Sequence, residues 1–180
     1  MNISELISTP ERERILQRLL YASRPEGLYQ IAKEAKVSPS QVHKYISIWK
    51  GYGLISGTKP NDEPLVRALR LSENTHFLRD ERLVARIQAA LPKVKGIGLY
   101  GSWANGTNDE NADIDIWIFV DRELDYLAMG RLRRDLENRL KKKLDMVVLT
   151  EGKLRELREK NPTFYYSLYH SIRLFGDAIW

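Results

Sequence analysis

The stretch "LYGSWANGTNDENADIDIWIFV", Leu99 to Val120, places two aspartates at the start of an apolar run that follows a glycine-serine turn. Side chains of a β-strand alternate between its two faces, so Asp113 and Asp115 share one face while the isoleucines beside them face the core. Two carboxylates one pleat apart repel each other and are costly to bury in part without a partner. The pattern therefore predicts a strand that presents two carboxylates to a bound cation.

The composition is that of an ordinary globular protein. The chain has 180 residues, of which 43% are hydrophobic and 29% are charged, and these values argue against intrinsic disorder. This length is compatible with one large domain or with two small ones. The net charge of +5 suits polyanionic partners such as nucleotides or nucleic acid without requiring them.

Cysteine usage and the amino-terminal segment restrict the class of protein further. The chain contains no cysteine, which excludes a disulfide framework and a cysteine-bound zinc site. The opening "MNISELISTPERER" lacks the apolar core of a signal peptide, and no window approaches the roughly 20 apolar residues of a membrane span. We therefore expect a cytoplasmic protein with no membrane partner.

The first third of the chain predicts three helices and a hairpin. Thr9-Pro10 is a helix-start signal, "LYQIAKEAKV" fits a second helix from Leu28, and a third begins near Pro39 and ends at "GYG". The runs "LIS" and "VRALRLS" alternate around "GTKPNDEP", whose composition favours a turn. These two runs are the predicted strands of the hairpin.

Residues 1–74 resemble a winged helix-turn-helix domain. The resemblance lies in "LYQIAKEAKVSPSQVHKYISIWKGYGLI", where a helix, a tight turn and a second helix precede a "GLI" entry into the wing. It implies that the later helix enters a DNA major groove. Other winged helices bind protein or only dimerise, so a homodimer is a further expectation. The candidate DNA contacts are Ser38, Ser40, Gln41, His43, Lys44 and Ser47 on this helix, with Lys59 on the wing.

The remainder, residues 75–180, predicts a second domain of alternating helices and strands. Strands are expected in "VKGIGLYGS", "ADIDIWIFV" and "LDMVVL", and the fold class is α/β (α+β) in two domains. A long amphipathic helix is expected over residues 123–143, and a carboxy-terminal helix runs into a short exit strand. The leucines expected to face inward near and along the long helix are Leu124, Leu127, Leu132, Leu136 and Leu140.

One spacing in this domain carries a family resemblance. Gly101-Ser102, ten residues and then Asp113-Ile114-Asp115 resemble the signature of the DNA polymerase beta-like nucleotidyltransferases, in particular their minimal branch. "GSWANG" stands at the family's Gly-Ser-x-x-x-Gly turn, and "LDMVVL" supplies a third carboxylate, Asp145. The resemblance covers about residues 81–177 and implies a small mixed sheet with flanking helices.

The resemblance also implies the roles of the site residues. The catalytic carboxylates and the ligands of Mg²⁺ would be Asp113, Asp115 and Asp145. Two ions are expected, and Mn²⁺ could replace Mg²⁺. Asp145 would also help to accept the proton of the attacking hydroxyl. Relatives commonly have arginine at the position of Asn105 and serine at that of Ala112. The nucleotide-binding candidates are Gly101, Ser102, Asn105 and Gly106.

Two functions follow from the resemblance. The first is transfer of a nucleoside monophosphate, namely AMP from the substrate ATP, to a hydroxyl group. The acceptor hydroxyl would belong to a protein, for which a HEPN-type partner is the natural candidate, or to a small molecule such as an aminoglycoside. The alternative is a transcription regulator whose second domain only senses nucleotide or a partner. DNA binding that survives loss of the carboxylates would distinguish the second function.

Two further segments leave alternatives open. The basic run "RLRRDLENRLKKK" either recruits an anionic acceptor such as tRNA or is a solvated helix face in which Glu137 pairs with Lys141. In "FYYSLYH", Tyr166 and His170 are candidates for a pocket or a partner surface. The residues of this segment predicted as core are Phe164, Tyr165, Leu168 and Tyr169.

Overall fold

The computed structural model describes residues 6–122 and 124–179. The chain has a mixed α/β fold with small sheets and many helices, as the sequence predicts. It divides into two compact units, and the loop Thr107–Asn111 groups with the first of them. The first unit is Met1–Glu73 with this loop, and the second is Asn74–Gly106 with Ala112–Trp180.

The first unit contains the three predicted helices and a short hairpin. The elements are α1 (Pro10–Leu20), α2 (Leu28–Ala35), α3 (Pro39–Gly51), β1 (Ile55–Ser56) and β2 (Lys59–Pro60). The two strands pair antiparallel. Local sequence explains the start of α3, because Ser38 and Gln41 form a capping box that satisfies amides at the helix end.

An apolar core and several side-chain hydrogen bonds hold this unit together. Trp49 of α3 is fully buried, and its indole N–H donates to the Leu6 carbonyl oxygen at 3.1 Å. In the loop Thr107–Asn111, the amide of Glu110 donates to the Tyr21 carbonyl oxygen at 3.0 Å, and the Ser23 hydroxyl donates to the Glu110 carboxylate at 2.7 Å. The loop is therefore an integral part of the first unit.

The predicted second strand of the hairpin is wrong. "VRALRLS" lies in α4 (Pro64–Asp80), and the hairpin turns earlier, between β1 and β2. Pro64 favours the first turn of a helix. Val66 is buried and Leu65 and Leu69 pack on the same core, at the spacing of a helix rather than of a strand.

The second unit is built around a four-stranded mixed sheet. The strand order is β5-β4-β3-β6, in which β4 and β5 are parallel and β3 is antiparallel to both of its neighbours. After α4, the elements are α5 (Leu83–Ala90), β3 (Gly96–Tyr100), α6 (Gly101–Asn105), β4 (Ile114–Phe119), α7 (Tyr126–Leu140), β5 (Leu144–Leu149), α8 (Glu151–Lys160), α9 (Pro162–Ser167), a 3-10 helix (Leu168–His170) and β6 (Ile172–Gly176).

Each face of this sheet has its own core. The isoleucines of β4 pack with the apolar stripes of α5 and α7. On the opposite face, Trp117 and Phe119 pack with Tyr100 and with Leu168 of the 3-10 helix. Asp115 belongs to the face of Trp117 and Phe119 by strand alternation, so this face carries the carboxylate next to an aromatic core.

Two expectations for the long helix are wrong, and its predicted first residue, Glu123, lies outside the described residues. The side chain of Leu127 is 71% exposed, because the buried stripe is Leu132, Leu136 and Leu140, and Leu127 falls well off that stripe at 100° per residue. Glu137 pairs with Arg133 rather than with Lys141, and it also accepts the amide of Leu144 at 3.0 Å. None of the helices in the described part of the chain has the length and apolar character needed to cross a bilayer.

Candidate active site

Strand register brings two of the predicted carboxylates together. Asp115 is the second residue of β4, Asp145 is the second residue of β5, and the two are paired in the parallel ladder. Neighbouring strands lie roughly 4.8 Å apart, and the aligned residues point to the same face. Asp113 directly precedes β4, and its side chain is exposed. The ends of these strands therefore present three carboxylates from two adjacent segments.

The raised pKa of Asp115 shows that the three carboxylates interact electrostatically. Burial raises the pKa of the Asp115 carboxyl to about 6, with further contributions from the charges of Asp145 and Asp113. Burial, Asp145 and Asp115 likewise raise the pKa of the Tyr100 hydroxyl, and Tyr100 is paired with Asp115 across the antiparallel ladder. Asp115 therefore carries negative charge that the surrounding protein does not balance.

A glycine makes close approach to Asp115 possible. Gly101 follows β3 directly and has φ +67°, a left-handed conformation that glycine adopts without strain. A Cβ at this position would collide with Oδ2 of Asp115. Sequence spacing alone does not reveal this contact, although the predicted turn at Gly101 is consistent with it.

The other predicted nucleotide contacts lie on or next to α6. Ser102 is half-buried near the start of this five-residue helix, and Asn105 is exposed at its end. Gly106 ends the helix in a left-handed conformation with φ +64°. All of these residues follow Tyr100, which pairs with Asp115, so the turn and the carboxylates adjoin.

One residue that positions this site was not among the residues predicted from the sequence. Trp103 of α6 is buried, and its indole N–H donates to the carbonyl oxygen of Ala112, next to Asp113, at 3.4 Å. The buried Asn74 amide donates in turn to the Trp103 carbonyl oxygen at 2.8 Å. In the sequence, an apolar residue after Gly-Ser indicates such a positioning role only weakly, because it also fits simple core packing.

The donor set fits Mg²⁺ although it is not an assembled metal cluster. Within residues 6–122 and 124–179, no group of three or more histidine, cysteine, aspartate or glutamate side chains is gathered to hold an ion. Mg²⁺ favours oxygen ligands and is commonly held by one or two carboxylates together with substrate phosphates. The unbalanced charge on Asp115 and the exposed carboxylates of Asp113 and Asp145 match that requirement.

The predicted DNA contacts all lie in the first unit and are exposed. Two of them have a local structural role, since Ser38 and Gln41 bond to each other's backbone amides at 3.1 and 3.2 Å. The hydroxyl of Ser47 donates to the His43 carbonyl oxygen at 2.9 Å. Lys59 lies on β2.

The comparison with protein families falls on the second unit. Residues 83–164 match the family model described as polymerase beta, nucleotidyltransferase. The match covers slightly less than half of the chain and includes Gly101, Asp113, Asp115 and Asp145. It supports a nucleotidyltransferase domain in the segment that carries the candidate site.

Two curated relatives of this chain are named as protein adenylyltransferases, which also supports a nucleotidyltransferase. The protein adenylyltransferase MntA of Shewanella oneidensis is 32% identical over 72 residues, which is 40% of this chain and 52% of the relative. A candidate protein adenylyltransferase, MJ1215 of Methanocaldococcus jannaschii, is 42% identical over 55 residues, which is 31% of this chain and 64% of the relative. The chain thus spans about half to two thirds of the length of these relatives.

Solved structures also resemble the chain in part. One is a complex of a tri-AMPylated Shewanella oneidensis HEPN toxin with an MNT antitoxin. The similarity has a TM-score of 0.41 with 21% sequence identity, and it covers 59% of this chain and 73% of that chain.

Proposed function

We propose that this chain is a metal-dependent nucleotidyltransferase that transfers AMP from ATP to a hydroxyl of a protein. The observation that carries the proposal is the pairing of Asp115 with Asp145 beside Asp113, against the backbone of Gly101. Such a group of uncompensated carboxylates suits a substrate that arrives with metal ions on its phosphates. The names of the two relatives support AMP as the transferred group and protein as the acceptor.

The reaction forms one bond to phosphorus and breaks another. The acceptor oxygen bonds to the α-phosphorus of ATP, and the bond from that phosphorus to the oxygen bridging to the β-phosphate breaks, so pyrophosphate leaves. The proton of the acceptor hydroxyl passes to a carboxylate, for which Asp145 is our candidate because its side chain is exposed at the edge of the sheet. The main role of Asp115 would then be to bind the positively charged metal ions.

Mg²⁺ bound at Asp113, Asp115 and Asp145 would neutralise the phosphates and the charge that develops on the leaving pyrophosphate. The turn at Gly101 and Ser102 provides backbone amides and a hydroxyl beside these carboxylates, where phosphate oxygens can accept hydrogen bonds. The half-buried Ser102 and the exposed Asn105 are candidate phosphate or sugar contacts.

An HEPN-type protein is our candidate acceptor. The Shewanella oneidensis complex joins an AMPylated HEPN toxin to an MNT antitoxin. For this chain the same chemistry would place an acceptor hydroxyl of the partner opposite the leaving pyrophosphate. In that case the chain would act as an antitoxin.

Calorimetric titration of ATP in the presence and absence of Mg²⁺ tests the site without any acceptor. We expect wild-type protein to bind ATP only with the metal, and Asp115→Asn to abolish that binding. Asp135→Asn is a matched control, since Asp135 is an exposed aspartate on α7, and it should bind as wild type does. Failure of folded wild-type protein to bind ATP with Mg²⁺ would contradict the proposal.

We further propose that the first unit is a winged helix that binds DNA. The supporting observation is the distribution of side chains on α3, whose buried residues are Val42, Ile46 and Trp49. The exposed positions 40, 43, 44 and 47 follow i, i+3, i+4 and i+7 spacing and so share one face. That face carries Ser40, His43, Lys44 and Ser47, which are suited to contacts with bases and phosphates.

A further inference from the structure

Exposed large apolar side chains mark two surfaces of the second unit. One consists of Tyr166 and Tyr169 on α9 and the 3-10 helix. The prediction that Tyr169 belongs to the core is wrong, because Leu168 beside it takes the buried position. The other surface consists of Tyr126 and Leu127 at the start of α7, which are 85% and 71% exposed. Of these two, Tyr126 lines a groove beside β5.

The strand β5 lies at an edge of its sheet. In the part of the chain that the structure describes, it pairs only with β4. The carbonyl oxygens of Lys143 and Leu149 accept amides from β4 and the residue after it, at 2.9 and 3.0 Å. The residues between them alternate in direction, and the amide of Leu144 accordingly donates to a carboxylate of α7 at 3.0 Å. By the same alternation, the backbone groups of Met146 and Val148 point away from β4.

A groove of about 320 Å³ opens across this edge. Its lining includes Met146, Val147 and Val148, which follow one another in β5. Because consecutive side chains of a strand point to opposite faces, such a groove crosses the edge of the sheet instead of lying on one face. Tyr126 and Met129 of α7 form one of its walls. The edge therefore combines backbone pairing groups with an apolar wall.

The alternation of β5 relates this edge to the candidate active site. Asp145 lies on the sheet face of Asp115, whereas Met146 and Val148 lie on the opposite face and pack against the core there. A segment added beside β5 would follow the same alternation. A residue level with Asp145 would project onto the carboxylate face, and its two neighbours would project toward the apolar wall. A hydroxyl at that level would approach our candidate proton acceptor.

Positive charge lies at the start of the edge. Lys141 and Lys143 are both exposed directly before β5. No charged residue interrupts the apolar positions 146–149 that follow. Complementary charges steer a partner and fix its register on a surface. This edge therefore suits a segment that is apolar along most of its length and acidic where it passes the lysines.

We propose that β5 is the docking edge for the acceptor protein, which adds an extended segment to the sheet as a fifth strand. Its hydroxyl-bearing residue lies level with Asp145, its apolar neighbours lie over Met146 and Tyr126, and an acidic residue lies near Lys143. This assignment rests on the proposed function, since it supplies the acceptor for AMP. In strand addition, main-chain hydrogen bonds provide affinity and the alternate side chains provide selectivity.

A proline on the edge tests the docking directly. Val148→Pro removes an amide that points outward and leaves the amides that pair with β4 in place. Val148→Ile is the matched control, because it changes the side chain and keeps that amide. Tyr126→Ala removes part of the groove wall without altering β5. Thermal unfolding and calorimetric titration of ATP with Mg²⁺ check that each variant retains its fold and the carboxylate site.

Two synthetic peptides serve as acceptors for the full chain. The probe is a short peptide with a central tyrosine, a valine on each side of it and aspartates at its ends. The control peptide has the same composition, but its valines stand two residues from the tyrosine, so that all three share one face of a strand. Mass spectrometry follows the transfer, in which the tyrosine oxygen bonds to the α-phosphorus of ATP and pyrophosphate leaves.

The expected result depends on both the peptide and the edge. Wild type should modify the probe about tenfold faster than the control peptide, and Val148→Pro and Tyr126→Ala should each slow modification of the probe about tenfold, the scale of one strong contact. Val148→Ile should act as wild type does. Equal rates on the two peptides, or an unchanged rate with Val148→Pro and Tyr126→Ala, would overturn the docking edge.

The remaining outcomes separate this proposal from the proposed function. Wild-type protein that binds ATP with Mg²⁺ but modifies neither peptide would overturn the docking edge and leave the carboxylate site intact. Wild-type protein that does not bind ATP with Mg²⁺ would refute the proposed function itself. Light scattering tests another occupant: a wild-type dimer that Val148→Pro converts to a monomer would assign the edge to a second copy of this chain and overturn the proposal.

Discussion

The backbone of Gly101 lies against the carboxylate of Asp115, and the space between them is too small for a side chain. This contact joins the start of α6 to the second residue of β4. The turn at Gly101 can lie this close to the Asp115 carboxylate only because glycine has no side chain.

Gly101→Ala is expected to abolish binding of ATP with Mg²⁺. The alanine must either adopt a left-handed conformation at a cost of about 1–2 kcal/mol or move the chain, and its Cβ displaces the Asp115 carboxylate. Calorimetry measures the loss. Gly130→Ala is the control, since a Cβ at this position on α7 meets nothing within 4 Å. Normal binding by folded Gly101→Ala would show that the contact is dispensable.

Asp115→Asn is expected to stabilise the metal-free chain while removing its nucleotide binding. The folded pKa of about 6 lies above the reference value of 3.8, so the carboxyl favours folding most when it is protonated. This contribution is complete below about pH 4 and is lost as the pH rises through about 6. Asparagine has no charge to bury.

Thermal unfolding with a chelator, at a series of pH values, measures this effect. The midpoint of Asp115→Asn should exceed that of wild type above pH 6, and the difference should shrink toward pH 4. Asp135→Asn should show no comparable difference. A variant that is less stable than wild type above pH 6 would contradict the electrostatic account.

Gly98→Ala tests the aromatic core on the same sheet face. A Cβ at this position of β3 would overlap the indole of Trp117, which is fully buried and donates a hydrogen bond to the Ser171 hydroxyl at 2.9 Å. Such overpacking is expected to lower the free energy of unfolding by about 1–3 kcal/mol. Denaturant unfolding measures it, with Gly152→Ala as control, whose nearest contact would be 3.9 Å away. Equal stability of the two variants would refute tight packing here.

Lys44→Ala is expected to weaken DNA binding and to reduce its salt dependence. Loss of one phosphate contact lowers the slope of log affinity against log salt by about 1. Fluorescence anisotropy with duplex DNA at several salt concentrations measures the slope. Lys160→Ala is the control, because Lys160 on α8 pairs with Glu156. Absence of DNA binding by wild type at low salt would contradict the winged-helix proposal.

Much of the second unit could be predicted because local pattern and tertiary structure agree there. The apolar run after Asp113 forms β4, "LDMVVL" forms β5, and strand alternation places Asp115 beside Trp117 on one face. These features depend on the period-2 pattern, which any buried strand must satisfy.

Other features depend on contacts distant in sequence and were not predictable from local pattern. The second strand of the hairpin was misassigned because "VRALRLS" has residues that alternate, whereas in the structure Leu65, Val66 and Leu69 pack on the first core at helical spacing. Trp103 binds the Ala112 carbonyl across a loop. Leu168 of the 3-10 helix is buried in the same core as Trp117, whereas Tyr169 next to it is exposed.

The most direct test of the central claim identifies the phosphorus at which ATP is attacked. Phosphorus NMR follows ATP with Mg²⁺ and the full chain, in parallel with Asp115→Asn, with water or an added HEPN-type protein as acceptor. We predict release of pyrophosphate by wild type and none by the variant. Release of phosphate with formation of ADP, or no consumption of ATP with either acceptor, would contradict a nucleotidyltransferase.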